Sequence, residues 1–81
     1  IDLIDYKIAQ LINERMEHAI SLGKIKTKSM TRKQFHDPLR ENEIINKIKS
    51  INQGPTSDDA ISTIFQAIMK ESLTIQLELL E

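Results

Sequence analysis

The sequence has no cysteine, one tyrosine, two phenylalanines, two glycines and two prolines. Without cysteine, disulfides and thiolate metal sites are excluded, and the redox compartment leaves no mark on the chain. So few aromatics offer little surface for stacking nucleic-acid bases. The formal net charge of −1 also lacks the basic excess of a nucleic-acid binder. Lys24, Lys26, Lys28, Arg32 and Lys33 do cluster, but acidic residues elsewhere balance them. His18 and His36 have no companions at metal-ligand spacing and read as surface or loop residues. Met16, Met30 and Met69 read as packing residues. No apolar run approaches the roughly 20 residues that cross a membrane, and no signal-peptide pattern is present. What remains is a chain of 81 residues, 40% hydrophobic and 28% charged, that forms one small domain spanning residues 1–81. A domain this short buries a modest share of its surface and often needs a partner to complete its core. The first residue is Ile1 rather than Met, so residues upstream of it are expected.

The four glycines and prolines sit where helices should start or stop. Ile1, Ile4, Ile8, Leu11, Ala19 and Leu22 recur in steps that suit one helix face. Gly23 interrupts that run, but an isolated glycine costs only about 1 kcal/mol in a helix, so the first helix is expected over about residues 1–29. Residues 30–36 show no period and read as a loop. Asp37-Pro38 has the chemistry of a helix start, with Asp at the N-cap and Pro in the first turn. Ile44, Ile45 and Ile48 give the second helix, about 38–52, its apolar face, and Gly54-Pro55 ends the segment. Thr56 and Asp59 fit a capping box for a third helix over about 57–81, with Ile61, Ile64, Phe65, Ile68, Leu73, Leu77 and Leu80 on its apolar side. Strand signals are absent, so the fold class is all-α with one long, one short and one medium helix. At 1.5 Å per residue the first helix spans roughly 43 Å and the second about 22 Å. The second cannot cover the first, and a homodimer with the long helices side by side is the simplest cover.

The informative residues break the apolar pattern. Arg15 lies seven residues from both Ile8 and Leu22, on the same stripe, and Lys26 follows about three turns later. Ionised side chains are almost never fully buried unless paired. On the third helix Ser72 and Gln76 lie close to the apolar stripe, and a buried Gln amide must be hydrogen-bonded. On the second, Glu41 shares a face with Ile44, Ile45 and Ile48, and Arg40 flanks it. Each has a plain structural reading: Arg15 with Glu41 as a buried ion pair, Lys26 reaching out to water, Asp37 as an N-cap, Ser72 bonding back to a carbonyl one turn earlier. The coincidence on all three helices favours a shared polar pocket, since natural sequences break local rules mainly at functional sites. Arg15, Lys26 and Arg40 outnumber the carboxylates that could neutralise them, so the pocket suits a small, compact, multiply anionic ligand.

These residues resemble the signature of the all-helical class of chorismate mutase. Ile1-Asp2-Leu3-Ile4-Asp5-Tyr6-Lys7-Ile8 followed by Leu11-Ile12-Asn13-Glu14-Arg15 is similar to the family's first-helix pattern. Gly23-Lys24-Ile25-Lys26 resembles its glycine-then-lysine element, Asp37-Pro38-Leu39-Arg40-Glu41 its second-helix start, and the stretch from Ile64-Phe65 through Glu71-Ser72-Leu73-Thr74-Ile75-Gln76 its third helix. The resemblance covers essentially the whole chain in order. It implies an intertwined homodimer, two shared sites, a cytoplasmic location, no cofactor and no metal, and chorismate as the small-molecule substrate. It further implies that Arg15 holds a substrate carboxylate, and that Lys26 and Gln76 donate to the ether oxygen of the breaking bond. Glu41 would bind the ring hydroxyl, with Arg40, Asp37 and Ser72 completing the polar lining. The family also uses an arginine near the start of the first helix that enters the partner's site; here it would lie just upstream of Ile1.

Two other functions compete. A related lyase of the same fold removes pyruvate from isochorismate, and the Asp37–Glu41 element and Ser72 favour the mutase over it. A non-catalytic helical module that binds a pathway metabolite would also use such a pocket. Helical mutases occur fused to other enzymes of the aromatic pathway, so a longer parent chain is compatible with either.

Overall fold

Asp37 and Pro38 start a helix as their chemistry requires. The Asp37 carboxylate accepts a hydrogen bond from the backbone N–H of Arg40 at 3.1 Å, and Pro38 takes a first-turn position where no N–H is needed. The computed structural model describes all 81 residues and places this helix, α2, at Pro38–Ile51. It follows α1 (Asp2–Lys26) and a short 3-10 turn (Arg32–Phe35), and precedes α3 (Asp58–Glu78). There is no strand, and the chain is all-α with one long, one short and one intermediate helix. α3 is the hub: α1, α2 and the 3-10 turn all pack against it.

Three local expectations need correction. α1 stops at Lys26 rather than near Ser29, because residues 27–29 tighten into a turn. There the Thr27 hydroxyl bonds the Lys24 carbonyl at 2.9 Å, and Lys28 and Ser29 donate to carbonyls three residues back. Thr56 and Asp59 do not form the capping box. Ser57 caps α3 instead, its hydroxyl accepting from the Ala60 N–H at 3.1 Å, while the Thr56 carbonyl accepts from the Asn52 amide at 2.8 Å. Asn52 also donates to Asp58, bracing the α2–α3 turn around Gly54 at φ 74°, a left-handed conformation that glycine adopts freely. α3 ends at Glu78, and residues 79–81 lie beyond it.

The third correction concerns the segment 30–36, which is not a featureless loop. Gln34 accepts from the Thr31 N–H at 2.8 Å and returns its own N–H to the Thr31 carbonyl at 2.9 Å. This closed turn drives Phe35 inward, where it is 3% exposed. The aperiodic residues around Phe35 concealed it, since burial by a single turn leaves no periodic trace.

The core is small. Seven residues are buried: Met16, Ala19 and Gly23 of α1, Phe35, and Ser62, Met69 and Gln76 of α3. The spacing of Met16, Ala19 and Gly23 marks the face of α1 that meets α3. Residues 1–11 of α1 are all exposed, Ile1 at 94% and Leu11 at 64%. The accessible surface is 6421 Å², against about 5,000 Å² for a typical folded monomer of this mass. The radius of gyration is 14.1 Å, against about 12 Å for a compact chain of this length.

With so few buried residues, Phe35 carries a large share of the core. Phe35→Ala is expected to lower unfolding free energy by about 3 kcal/mol, read as a reduced urea midpoint. A midpoint unchanged by the substitution would show that the 3-10 turn does not belong to the core.

Candidate functional site

The three helices converge on a cavity of about 300 Å³. α1 turns Arg15, Ala19, Leu22 and Lys26 to it, since steps of three, four and seven residues keep one helix face. α3 adds Met69, Ser72, Leu73 and Gln76 by the same rule, and the start of α2 adds Asp37, Arg40, Glu41 and Ile44. All seven polar residues singled out from sequence therefore line one cavity: Arg15, Lys26, Asp37, Arg40, Glu41, Ser72 and Gln76. Phe35 and His18 line it too and were missed. The signal for His18 was present, because it stands one turn after Arg15 on the same helix.

Arg15 does not form the ion pair with Glu41 that the sequence allowed. Its Nη1 donates to the Ser72 hydroxyl at 2.7 Å. Ser72 in turn lies 3.1 Å from the Ile68 carbonyl, so it also makes the backward bond of an ordinary helical serine. The Met16 sulfur is 3.4 Å from the same hydroxyl. Glu41 pairs with His36, Nε2 to Oε2 at 3.4 Å. Arg40 pairs with Glu43 at 3.1 Å through exposed side chains. The Asp37 carboxylate is engaged at the α2 N-terminus.

Gln76 is the most constrained polar residue, at 6% exposure. One end of its amide lies 2.9 Å from the Ala19 carbonyl and the other 3.5 Å from Lys26 Nζ. A carbonyl can only accept and an ammonium can only donate, so the amide has one orientation: Nε2 to Ala19, Oε1 to Lys26. One amide N–H then remains uncommitted to protein. Lys26 Nζ also stands 6.0 Å above the Phe35 ring, at the outer limit of a cation–π contact.

The electrostatic result is simple. The one salt bridge between permanently charged groups is Arg40–Glu43, and Glu41 stands beside His36, so neither Arg15 nor Lys26 has a carboxylate partner. Both are partly buried, and both are held by neutral oxygens. The cavity thus presents two cations and an amide donor across a wall of Leu22, Phe35, Ile44, Met69 and Leu73. The carboxylates of Asp37 and Glu41 and the guanidinium of Arg40 line the same cavity from the start of α2. No group of His, Asp and Glu side chains is arranged to hold a metal ion.

A three-helix chain with a polar-lined cavity between its helices falls in the class of small all-helical domains. The sequence pattern of the family described as chorismate mutase type II matches residues 1–77. The chain belongs to that family. It is 33% identical over 76 residues to a bifunctional chorismate mutase/prephenate dehydratase of Neisseria gonorrhoeae, covering 94% of this chain and 20% of that protein. It is 35% identical over 80 residues to a protein of the same name from Aquifex aeolicus, covering 94% of this chain and 22% of that one. A Pseudomonas aeruginosa protein of that name is 29% identical over 79 residues, with the same coverage. The chain spans about a fifth of the length of these curated relatives.

The Gln76 bridge is the link whose energetic weight can be measured directly. Gln76→Leu keeps the volume but removes both hydrogen bonds. It is expected to lower stability in urea by about 1 kcal/mol. A variant as stable as the parent would mean that the bridge orients Lys26 without contributing net stability.

Proposed function

We propose that this chain is a catalytic chorismate mutase domain, converting chorismate to prephenate by an intramolecular Claisen rearrangement. The observation that carries the reading is the pair of cations, Arg15 and Lys26, facing one cavity without a carboxylate partner. Chorismate carries two carboxylates on a compact ring and side chain, which suits that cavity in charge and size. The reaction is concerted and needs no nucleophile or proton relay. A protein accelerates it by holding the enolpyruvyl arm over the ring, which removes the entropy of finding that geometry. It also stabilises the charge growing on the ether oxygen with donors fixed beforehand.

In this reading Arg15 holds a substrate carboxylate. Lys26 and the uncommitted N–H of Gln76 donate to the ether oxygen. Glu41 accepts from the ring hydroxyl, while Asp37, Arg40 and Ser72 complete the polar lining near it and the ring carboxylate. The roles of Ser72 and Asp37 are partly indirect: one orients the Arg15 guanidinium, and the other fixes the first turn of α2.

The domain acts as a homodimer. Support comes from the uncovered residues 1–11 at the start of the chain and from a surface some 1,400 Å² larger than a compact monomer of this mass would have. A cytoplasmic location and membership of a longer chain with a second aromatic-pathway activity belong to the same reading, the latter following the bifunctional names of the relatives.

Two measurements test this. Loss of chorismate absorbance is expected for the parent and abolished by Lys26→Ala. Turnover by the parent is expected to stay flat between about pH 6 and 8, because the Gln76 donor does not titrate. Gln76→Glu should instead lose activity as pH rises, since only a protonated carboxyl can donate. A folded complete gene product, with the residues upstream of Ile1, that leaves chorismate untouched sinks the mutase reading, and turnover of isochorismate instead assigns the lyase. Sedimentation equilibrium is expected to give twice the 9.3 kDa chain mass, and a monomer at micromolar concentration would overturn the dimer.

A further inference from the structure

Gly23 is buried where the last turn of α1 meets the end of α3, and a side chain there would have little room. A Cβ built on it would lie 2.7 Å from Leu79 Cδ1, 3.0 Å from Gln76 Cγ and 3.4 Å from Gln76 Cβ. One turn earlier on the same helix face, the Ala19 carbonyl accepts from the Gln76 amide at 2.9 Å. The backbone of α1 at Gly23 and Ala19 therefore meets both the stem and the head of Gln76.

We propose that Gly23 is a positioning residue for Gln76: the missing Cβ lets α1 approach α3 closely enough to set the amide between the Ala19 carbonyl and Lys26. Glycine is a poorer helix former than alanine, and the close approach of Gln76 and Leu79 supplies the packing reason for its place in α1. The neighbours of an added methyl would not yield equally. Leu79 is 37% exposed at the end of α3, and its Cδ1 is the far end of a flexible side chain that can rotate away. Gln76 is buried, and its amide is tied at both ends. A methyl at position 23 therefore moves Gln76 by a few tenths of an ångström, or α1 withdraws and breaks the bond to Ala19. Both outcomes displace the donor and disturb the 3.5 Å contact between the amide oxygen and Lys26 Nζ.

The kinetic part of this inference rests on the chorismate mutase reading, and the positional part does not. The test compares the parent, Gly23→Ala, Leu79→Ala, and the double variant Gly23→Ala with Leu79→Ala, in which the 2.7 Å contact with Leu79 Cδ1 is gone and only Gln76 opposes the added methyl. Nitrogen-15 NMR of the Gln76 side-chain amide reports its hydrogen bond, thermal melting reports the fold, and chorismate kinetics separate kcat from KM. The expected result is a shifted or exchange-broadened Gln76 amide in both Gly23→Ala variants. Their kcat should fall about tenfold or more, as a small misplacement of a donor can cause, with KM changed less than about twofold. Leu79→Ala alone should match the parent. A Gln76 amide unmoved by Gly23→Ala overturns the proposal whatever the rate does. A moved amide with unchanged kcat in an active parent overturns the kinetic part. An inactive complete gene product sinks the enzymatic reading, while the amide signal still decides whether Gly23 positions Gln76.

Discussion

The bond from the Gln76 amide to the Ala19 carbonyl is the constraint on which the rest of the site depends. It crosses from the central helix to the long one, at the level where they pack with least side chain between them. It fixes which end of the amide faces Lys26, because an ammonium and a carbonyl make opposite demands on it. Lys26 in turn stands at the last residue of α1, just before the chain turns toward Phe35. The cavity wall, the reach of Lys26 and the orientation of a neutral donor are thus consequences of one helix–helix contact. The polar residues specify the packing as much as the packing holds them.

Much of this was legible from residue order. Helix periodicity, Asp37-Pro38 and the anomalous Arg15, Lys26, Ser72 and Gln76 placed three helices and one polar pocket, because side-chain direction in a helix follows from spacing alone. Pairing was less legible. Arg15 could reach Glu41 or Ser72 by any sequence argument, and the choice depends on how the helices are offset along their axes. Ser72 proved to be both a partner of Arg15 and an ordinary back-bonding serine. Phe35 escaped notice because a single turn has no period to detect. The capping of α3 fell to Ser57 rather than Thr56, one residue along, since neighbouring hydroxyls compete for the same role and the preceding turn decides between them.

The contrast between the two ends of α1 organises the molecule. Its second half is anchored by Met16, Ala19 and Gly23 against α3 and carries the cavity cations. Its first half continues the apolar stripe with no cover from its own chain. One helix thus performs two tasks in series, with Arg15 close to where they meet.

Arg15 and Lys26 are partly withdrawn from water and held only by neutral oxygens. Such charges cost solvation that no opposite charge in the chain returns. Apolar residues of similar volume at these two positions would remove that cost. The trade between robustness and activity common to enzymes is written here into two side chains.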